Sequence, residues 1–408
     1  MSNESGRAWV YPAMLWILVV LAPMPILGGA TSLGAHVLAI VVLAGVVLLR
    51  GGVRGVAGGW VLGIAGALLV HTVLASLMSP CRDMLGRSLG SLGLLLMLIV
   101  ATALVAAASG AERGPIGATL RWIMGVIVLS VLLDKAYLLW TNASVFIRPS
   151  GIFEEPSHLA LSCAPVLAAL VVSEHGKDKA VGWISVAMLM GLAASATLFV
   201  LFAACAVVAL MLARRGGGVQ RLLRGLGVAA LVLLLVAVSP YRDDFLARIV
   251  GLGEVSAESN VSSLIYLNGL QSALANVEAS QWFGLGLNRM GCEPRPVTDV
   301  TPLLEVWNLA DFNYNDGSFT AAKLLSELGA LGALWLLVGL GVLVALIRAG
   351  RREADADRRQ RMALAAGALL VITLGAFVRG TGYFSGPYLL GLFAFFLFCR
   401  PSSRRSST

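Results

Sequence analysis

Leu92-Gly-Leu-Leu-Leu-Met-Leu-Ile-Val-Ala-Thr-Ala-Leu-Val-Ala-Ala-Ala108 carries neither a charge nor a proline. The apolar run that contains it, 88–109, matches the ~20 residues an α-helix needs to cross a hydrocarbon core of roughly 30 Å. A strand of a membrane β-barrel would alternate apolar and polar residues instead. The same pattern recurs along the chain. Of 408 residues, 58% are hydrophobic and 13% charged, where soluble domains average about 45–50% and ~25%. A soluble globular fold is thereby excluded, and the scarcity of charge excludes disorder and coiled coil. The expected fold is all-α, a polytopic inner-membrane helical bundle of about twelve spans. They fall near 9–27, 32–49, 58–78, 88–109, 116–133, 157–173, 180–194, 197–213, 225–239, 319–347, 361–378 and 383–399. Arg7 precedes the first run, but no small-residue cleavage site is evident, so that run reads as retained.

Arginine and lysine orient the bundle, because cytoplasmic loops carry their excess. With the N-terminus inside, alternate connections place Arg50, Arg113, Arg121, Lys177, Lys179 and the basic runs 214–224 and 348–361 on the cytoplasmic side. Both termini are then cytoplasmic. The net charge of +8 reads as membrane anchoring rather than nucleic-acid binding. The chain divides into an N-terminal bundle of about nine spans (1–239), a large periplasmic loop (240–318), C-terminal spans (319–399) and a cytoplasmic tail (400–408). Besides 240–318, only 134–156 forms a long exterior segment, and long loops are where chemistry concentrates. Within the large loop Leu264, Leu267, Leu270, Leu274 and Val277 recur at helical spacing. They predict a helix either packed on the bundle or lying at the membrane surface beside a lipid-substrate entrance.

The polar residues of these exterior segments form three groups. Arg148-Pro-Ser-Gly-Ile-Phe-Glu-Glu-Pro-Ser-His158 directly precedes an apolar run. Pro156 suits a first helical turn and Ser157 a cap. Free amides at such a helix start favour an anion, and the fork of Arg148 suits phosphate. Glu154, Glu155 and His158 are candidate proton acceptors. The bland alternative is an interfacial turn whose charges pair among themselves and with headgroups. The second group is Asp311-Phe-Asn-Tyr-Asn-Asp-Gly-Ser318, with Lys323 and Glu327 beyond it. Its resemblance to a calcium loop fails, since the glycine is one position late and Ala322 stands where glutamate is needed. Asn313 and Asp316 could instead bind sugar hydroxyls, and Lys323 with Glu327 has the spacing of an ion pair. Arg242 and Arg248 open the large loop; Arg248 is the better phosphate candidate, Arg242 the better headgroup contact. His36 and His71, within spans, read as packing histidines. No metal-ligand spacing occurs among the five cysteines, so no metal or cofactor is called for. Cys81 and Cys292 share the exterior side, where a periplasm would oxidise them, and a bridge between them is one reading.

Taken together, these residues resemble a family. Arg148-Pro-Ser-Gly-Ile-Phe-Glu-Glu-Pro-Ser157 is similar to the R-x-x-G-[LI]-F-x-[EN]-P-[SN] signature of Wzy-type O-antigen and exopolysaccharide polymerases and of O-antigen ligases. Phe283-Gly-Leu-Gly-Leu287 resembles their G-x-G element. Asp316-Gly-Ser-Phe319 with Leu324-Leu-Ser-Glu-Leu-Gly-Ala-Leu-Gly332 is similar to their H-N-x-x-L…E-x-G-x-x-G stretch. The absence of the ligases' His-Asn, and the Glu-Pro-Ser form, favour polymerase. The resemblance implies transfer of a glycan from an undecaprenyl-diphosphate carrier to a sugar hydroxyl on a second carrier-linked unit, in lipopolysaccharide or exopolysaccharide synthesis. Arg148 and Arg248 would hold the diphosphate, with Arg242, Glu154, Asn313 and Lys323 as further binding residues. Glu155, His158 or Asp316 would take the proton. The implied partners are the two lipid-linked glycans, the bilayer, a chain-length regulator and a flippase, with no nucleic acid. The alternatives are an O-antigen ligase acting on lipid A core and a non-enzymatic transporter. A transporter would place charges along the spans and show pseudo-repeats.

Overall fold

The computed structural model describes residues 9–24, 33–50, 56–79, 81, 84–109, 115–141, 147–193, 195–212, 260–292 and 295–399, with isolated positions between 219 and 259. The described chain is all-helical, 78% helix without strands. Its first half gives α1 (Val10–Leu21), α2 (Leu33–Leu49), α3 (Gly58–Met78), α4 (Leu85–Ser109) and α5 (Gly117–Trp140). There follow α6 (Pro156–Val172), α7 (Gly176–Ala193) and α8 (Ala196–Leu212). Beyond the sparsely described stretch come α9 (Val261–Ala279), α10 (Thr301–Val306), α11 (Thr320–Leu328), α12 (Ala330–Arg352), α13 (Ala356–Thr373) and α14 (Gly386–Phe398).

Among the described residues, five helices are long and apolar enough to cross a membrane: α3, α4, α5, α12 and the Ala356–Phe377 stretch that α13 opens. Large apolar side chains stand outward on all five, including Leu62 on α3 at 75% exposure, Trp122 on α5 at 71% and Leu337 on α12 at 66%. Faces of this kind would be a liability in water and are at no disadvantage against lipid tails. The core runs through α6 and α13, which pack on each other; α6 also packs on α5, α7 and α8, and α13 on α12 and α14.

Several boundaries differ from the sequence expectation, among them the end of α5, which runs to Trp140 and not to 133. The apolar run at 319–347 is not one helix, because the chain breaks between α11 and α12 at Gly329, whose φ is +55°. A Cβ there would sit 2.1 Å from the Trp282 carbonyl oxygen, so the break depends on a residue without a side chain. At α6 the cap is Glu155, in extended conformation, with Pro156 in the first turn. Ser157 does not cap the helix; its hydroxyl donates to Glu155 Oε2 at 2.8 Å. The helix expected in the large loop is α9, capped by Asn260. Leu264 and Val277 are buried, α9 packs on α11, and Leu274 points outward.

Charged side chains gather at the two ends of the helices. At one end Asp178 accepts from Arg121, from Ser173 Oγ at 2.9 Å and from Gln360 Nε2 at 3.0 Å, while Arg359 pairs with Glu174. These contacts join the start of α5, the link from α6 to α7 and the start of α13. The opposite ends of α5, α6 and α13 meet around Asp134, Glu155 and Arg379.

Candidate functional site

The segment that carries Arg148 and Glu155 is anchored on α5. Asp134 Oδ2 accepts from the Ser150 and Gly151 amides at 2.7 and 3.0 Å, and Lys135 Nζ donates to the Ile147 carbonyl at 3.1 Å. Gly151 adopts φ +66°, and a Cβ there would meet Ser130 Oγ at 2.4 Å. The glycine of Arg148-Pro-Ser-Gly151 thus lets the chain turn tightly against α5 and delivers Glu155 to the head of α6.

A second scaffold is built from chain far away in sequence. The 282–286 stretch lies along the end of α11, with Leu285 N–H donating to Ser326 O at 2.8 Å and Gly286 N–H to Glu327 O at 2.9 Å. The Ala330 amide returns a bond to Trp282 O at 2.8 Å. Phe283-Gly-Leu-Gly-Leu287 and the Glu327-Leu-Gly329 element therefore touch. Glu327, entirely buried, accepts from the Asn288 amide at 2.7 Å, the Met290 amide at 3.2 Å and Tyr383 Oη at 2.7 Å, with Lys323 Nζ at 4.0 Å. Lys323 also donates to Asp316 Oδ1 at 2.9 Å and to Asn315 O at 3.1 Å.

Cys81 and Cys292 are disulfide-bonded, with Cα atoms 5.8 Å apart. The bridge ties the chain after α3 to the end of the Glu327-bound loop. Tyr314 Oη donates to Cys292 O at 2.6 Å, and Arg295 pairs with Asp311 and stacks over the Tyr314 ring. The loop bearing Asn313 and Asp316 is thus fastened to the same bridge. Peptide mapping without reductant is expected to recover Cys81 and Cys292 in one cross-linked fragment. Two free thiols in protein purified from an oxidising compartment would contradict this pairing.

Two cavities form between the scaffolds. The larger, about 1060 Å³, is walled by Arg148, Glu155, Ser157, Tyr266, Phe312, Asn313, Phe377 and Arg379, among others. The smaller, about 590 Å³, is walled by His36, Glu154, Glu155, His158, Asn313, Asp316, Lys323, Arg379 and Tyr383, among others. Glu155, Asn313, Ser318 and Arg379 line both. Glu155 is paired with Arg379. Burial alone would push the Glu155 carboxyl up; the Arg379 guanidinium, the Ser157 hydroxyl and His158 outweigh it and hold the group below its ordinary range. His158 Nδ1 lies 3.7 Å from Glu154 Oε2, and Asp316 is largely exposed.

Of the residues singled out in the sequence, Arg148, Glu154, Glu155, His158, Asn313, Asp316 and Lys323 are therefore brought to these two cavities. Arg242 is exposed and lines neither, and Arg248 lies outside the described residues. Arg379, Tyr383 and Asn288 were not picked out from the sequence. His36, read as a packing histidine, is buried with Nε2 2.7 Å from Phe384 O, yet also lines the smaller cavity. His71 follows the packing reading, with Nε2 2.7 Å from Phe283 O. Among the described residues no group of three or more His, Cys, Asp or Glu is placed to hold a metal ion. No protein-family model matches this chain, and no curated protein sequence matches it.

Proposed function

We propose that this chain is a polysaccharide polymerase of the Wzy type, joining undecaprenyl-diphosphate-linked oligosaccharide repeat units at the periplasmic face of the inner membrane. In this reading the bundle has about twelve spans, both termini are cytoplasmic, and 240–318 is the periplasmic loop. The observation that carries the proposal is the pair of adjoining cavities at one end of the bundle, sharing a carboxylate and an arginine in their walls. A transfer between two lipid-linked glycans needs room for both, a cation for the leaving diphosphate and a base for the attacking hydroxyl. Arg148 and Arg379 are the cations of the larger cavity, and Glu155 with His158 supplies candidate bases. The acceptor oxygen attacks the anomeric carbon as its bond to the diphosphate oxygen breaks. The hydroxyl proton passes to the base, and the diphosphate leaves on its carrier. Charge gathered at the helix ends favours this chemistry over transport along a charged path.

The test is to incubate the purified protein with lipid-diphosphate repeat units and resolve the products by size. A ladder is expected. Single transfer to a lipid A core would replace the polymerase reading with ligase, and movement across the membrane without new glycosidic bonds would replace it with transport. Arg148→Lys is expected to lower the ladder's rate at least tenfold, because an ammonium cannot reproduce the bidentate fork. Wild-type rates from that variant would remove Arg148 from the diphosphate site.

A further inference from the structure

The two cavities share an ion pair in their walls, with Asn313 and Ser318 beside it. Arg379 Nη2 donates to Glu155 Oε2, the oxygen that also accepts from Ser157. Glu155 is held at the head of α6, and Arg379 belongs to the short link between α13 and α14, with Gly380, Thr381 and Gly382 after it. The pair therefore joins two elements that approach each other only through the fold. The described lining residues of the two cavities differ in charge. Among those of the larger, Arg148 and Arg379 outnumber the one carboxylate, Glu155, beside apolar walls that include Phe312 and Phe377. In the smaller, Glu154, Glu155 and Asp316 outnumber Lys323 and Arg379 by one. A prenyl diphosphate suits the first, an uncharged sugar hydroxyl the second. A diphosphate entering the larger cavity brings more than one negative charge to Arg379, where Glu155 is already the resident anion.

We propose that the Glu155–Arg379 pair is a latch opened by the donor: its diphosphate, seated beside Arg148, takes the Arg379 guanidinium and frees Glu155 for the acceptor hydroxyl in the smaller cavity. The second half of this proposal rests on the reading of Glu155 as the base. Before the donor binds, the carboxylate is engaged and weakly basic. Once Arg379 turns to phosphate, the burial that opposes ionisation is no longer offset by that cation, and proton affinity rises. Deprotonation of the acceptor is thereby tied to the presence of a donor.

The experiment measures affinity of the full chain in lipid nanodiscs for farnesyl diphosphate, with farnesyl monophosphate as comparison. Glu155→Gln removes the competing charge and is expected to bind the diphosphate probe on the order of tenfold tighter. Misfolding cannot produce such a gain. Arg379→Ala is expected to bind it at least tenfold more weakly, and adding Glu155→Gln to Arg379→Ala should restore little of the affinity. Unchanged or weaker binding by Glu155→Gln overturns the latch, as does an equal gain with and without Arg379. Chain growth by Glu155→Gln is measured in parallel. Tighter binding with normal growth keeps the exchange at Arg379 and removes the base; lost growth without tighter binding keeps the base and removes the latch.

Discussion

Glu155→Gln should slow chain growth by ~10²–10⁴, the range for loss of a positioned general base, while the lipid-linked donor still binds. The substitution is close to isosteric. Its amide oxygen can still accept from Ser157, so the head of α6 should keep its shape, but it cannot take a proton from the acceptor. His158→Gln is expected to cost less. His158 lies in the first turn of α6, with Glu154 3.7 Å from its Nδ1, and lines the smaller cavity without reaching the larger. Glu155 alone of the two faces both compartments. Chain growth and carrier binding need to be measured separately for each variant. Near-normal growth by both variants would clear both residues and move the role to Asp316, whose carboxylate is engaged by Lys323 at 2.9 Å.

How far the sequence reveals this arrangement depends on the range of the forces involved. The helices could be read because a long apolar run has few stable alternatives in lipid. The start of α6 could be read almost to the residue, since Pro156 belongs in a first turn. The same proline places the cap at Glu155; what the sequence hides is that Ser157 turns its hydroxyl to the Glu155 carboxylate and that Arg379 meets that carboxylate from the far end of the fold. The break at Gly329 was hidden for a similar reason. Leu328-Gly-Ala330 looks like ordinary apolar helix, and its interruption comes from docking of the 282–286 chain about forty positions earlier. Cys81 and Cys292 could be paired only as a possibility, because composition and side of the membrane say nothing of Cα separation. Arg379 did leave a trace. In the topology expected from the sequence it stands between Val378 and Gly380 in a short exterior connection, where arginine is the minority. A basic residue kept there against the trend has a local use.

The largest loss of stability is expected from Glu327→Leu, about 3–5 kcal/mol as for a buried charge pair with one partner removed. The carboxylate is unexposed, and three hydrogen bonds from Asn288, Met290 and Tyr383 converge on it. Leucine would strand two backbone amides and a hydroxyl, and leave Lys323, itself buried, with less opposing charge. Glu327→Gln separates shape from charge. Asn288 and Tyr383 donate to one carboxylate oxygen and Met290 to the other, so either orientation of a glutamine amide turns its NH₂ toward at least one donor. Glutamine should therefore also lower the thermal midpoint, by less than leucine. Because Asn288 and Met290 lie in the stretch that ends at Cys292, both variants should also make the bridge more accessible to reductant than in the parent protein. A wild-type midpoint and reduction rate in Glu327→Gln would mean that the loop is held by its backbone bonds to Ser326 and Glu327 alone, and that the carboxylate is free for another use.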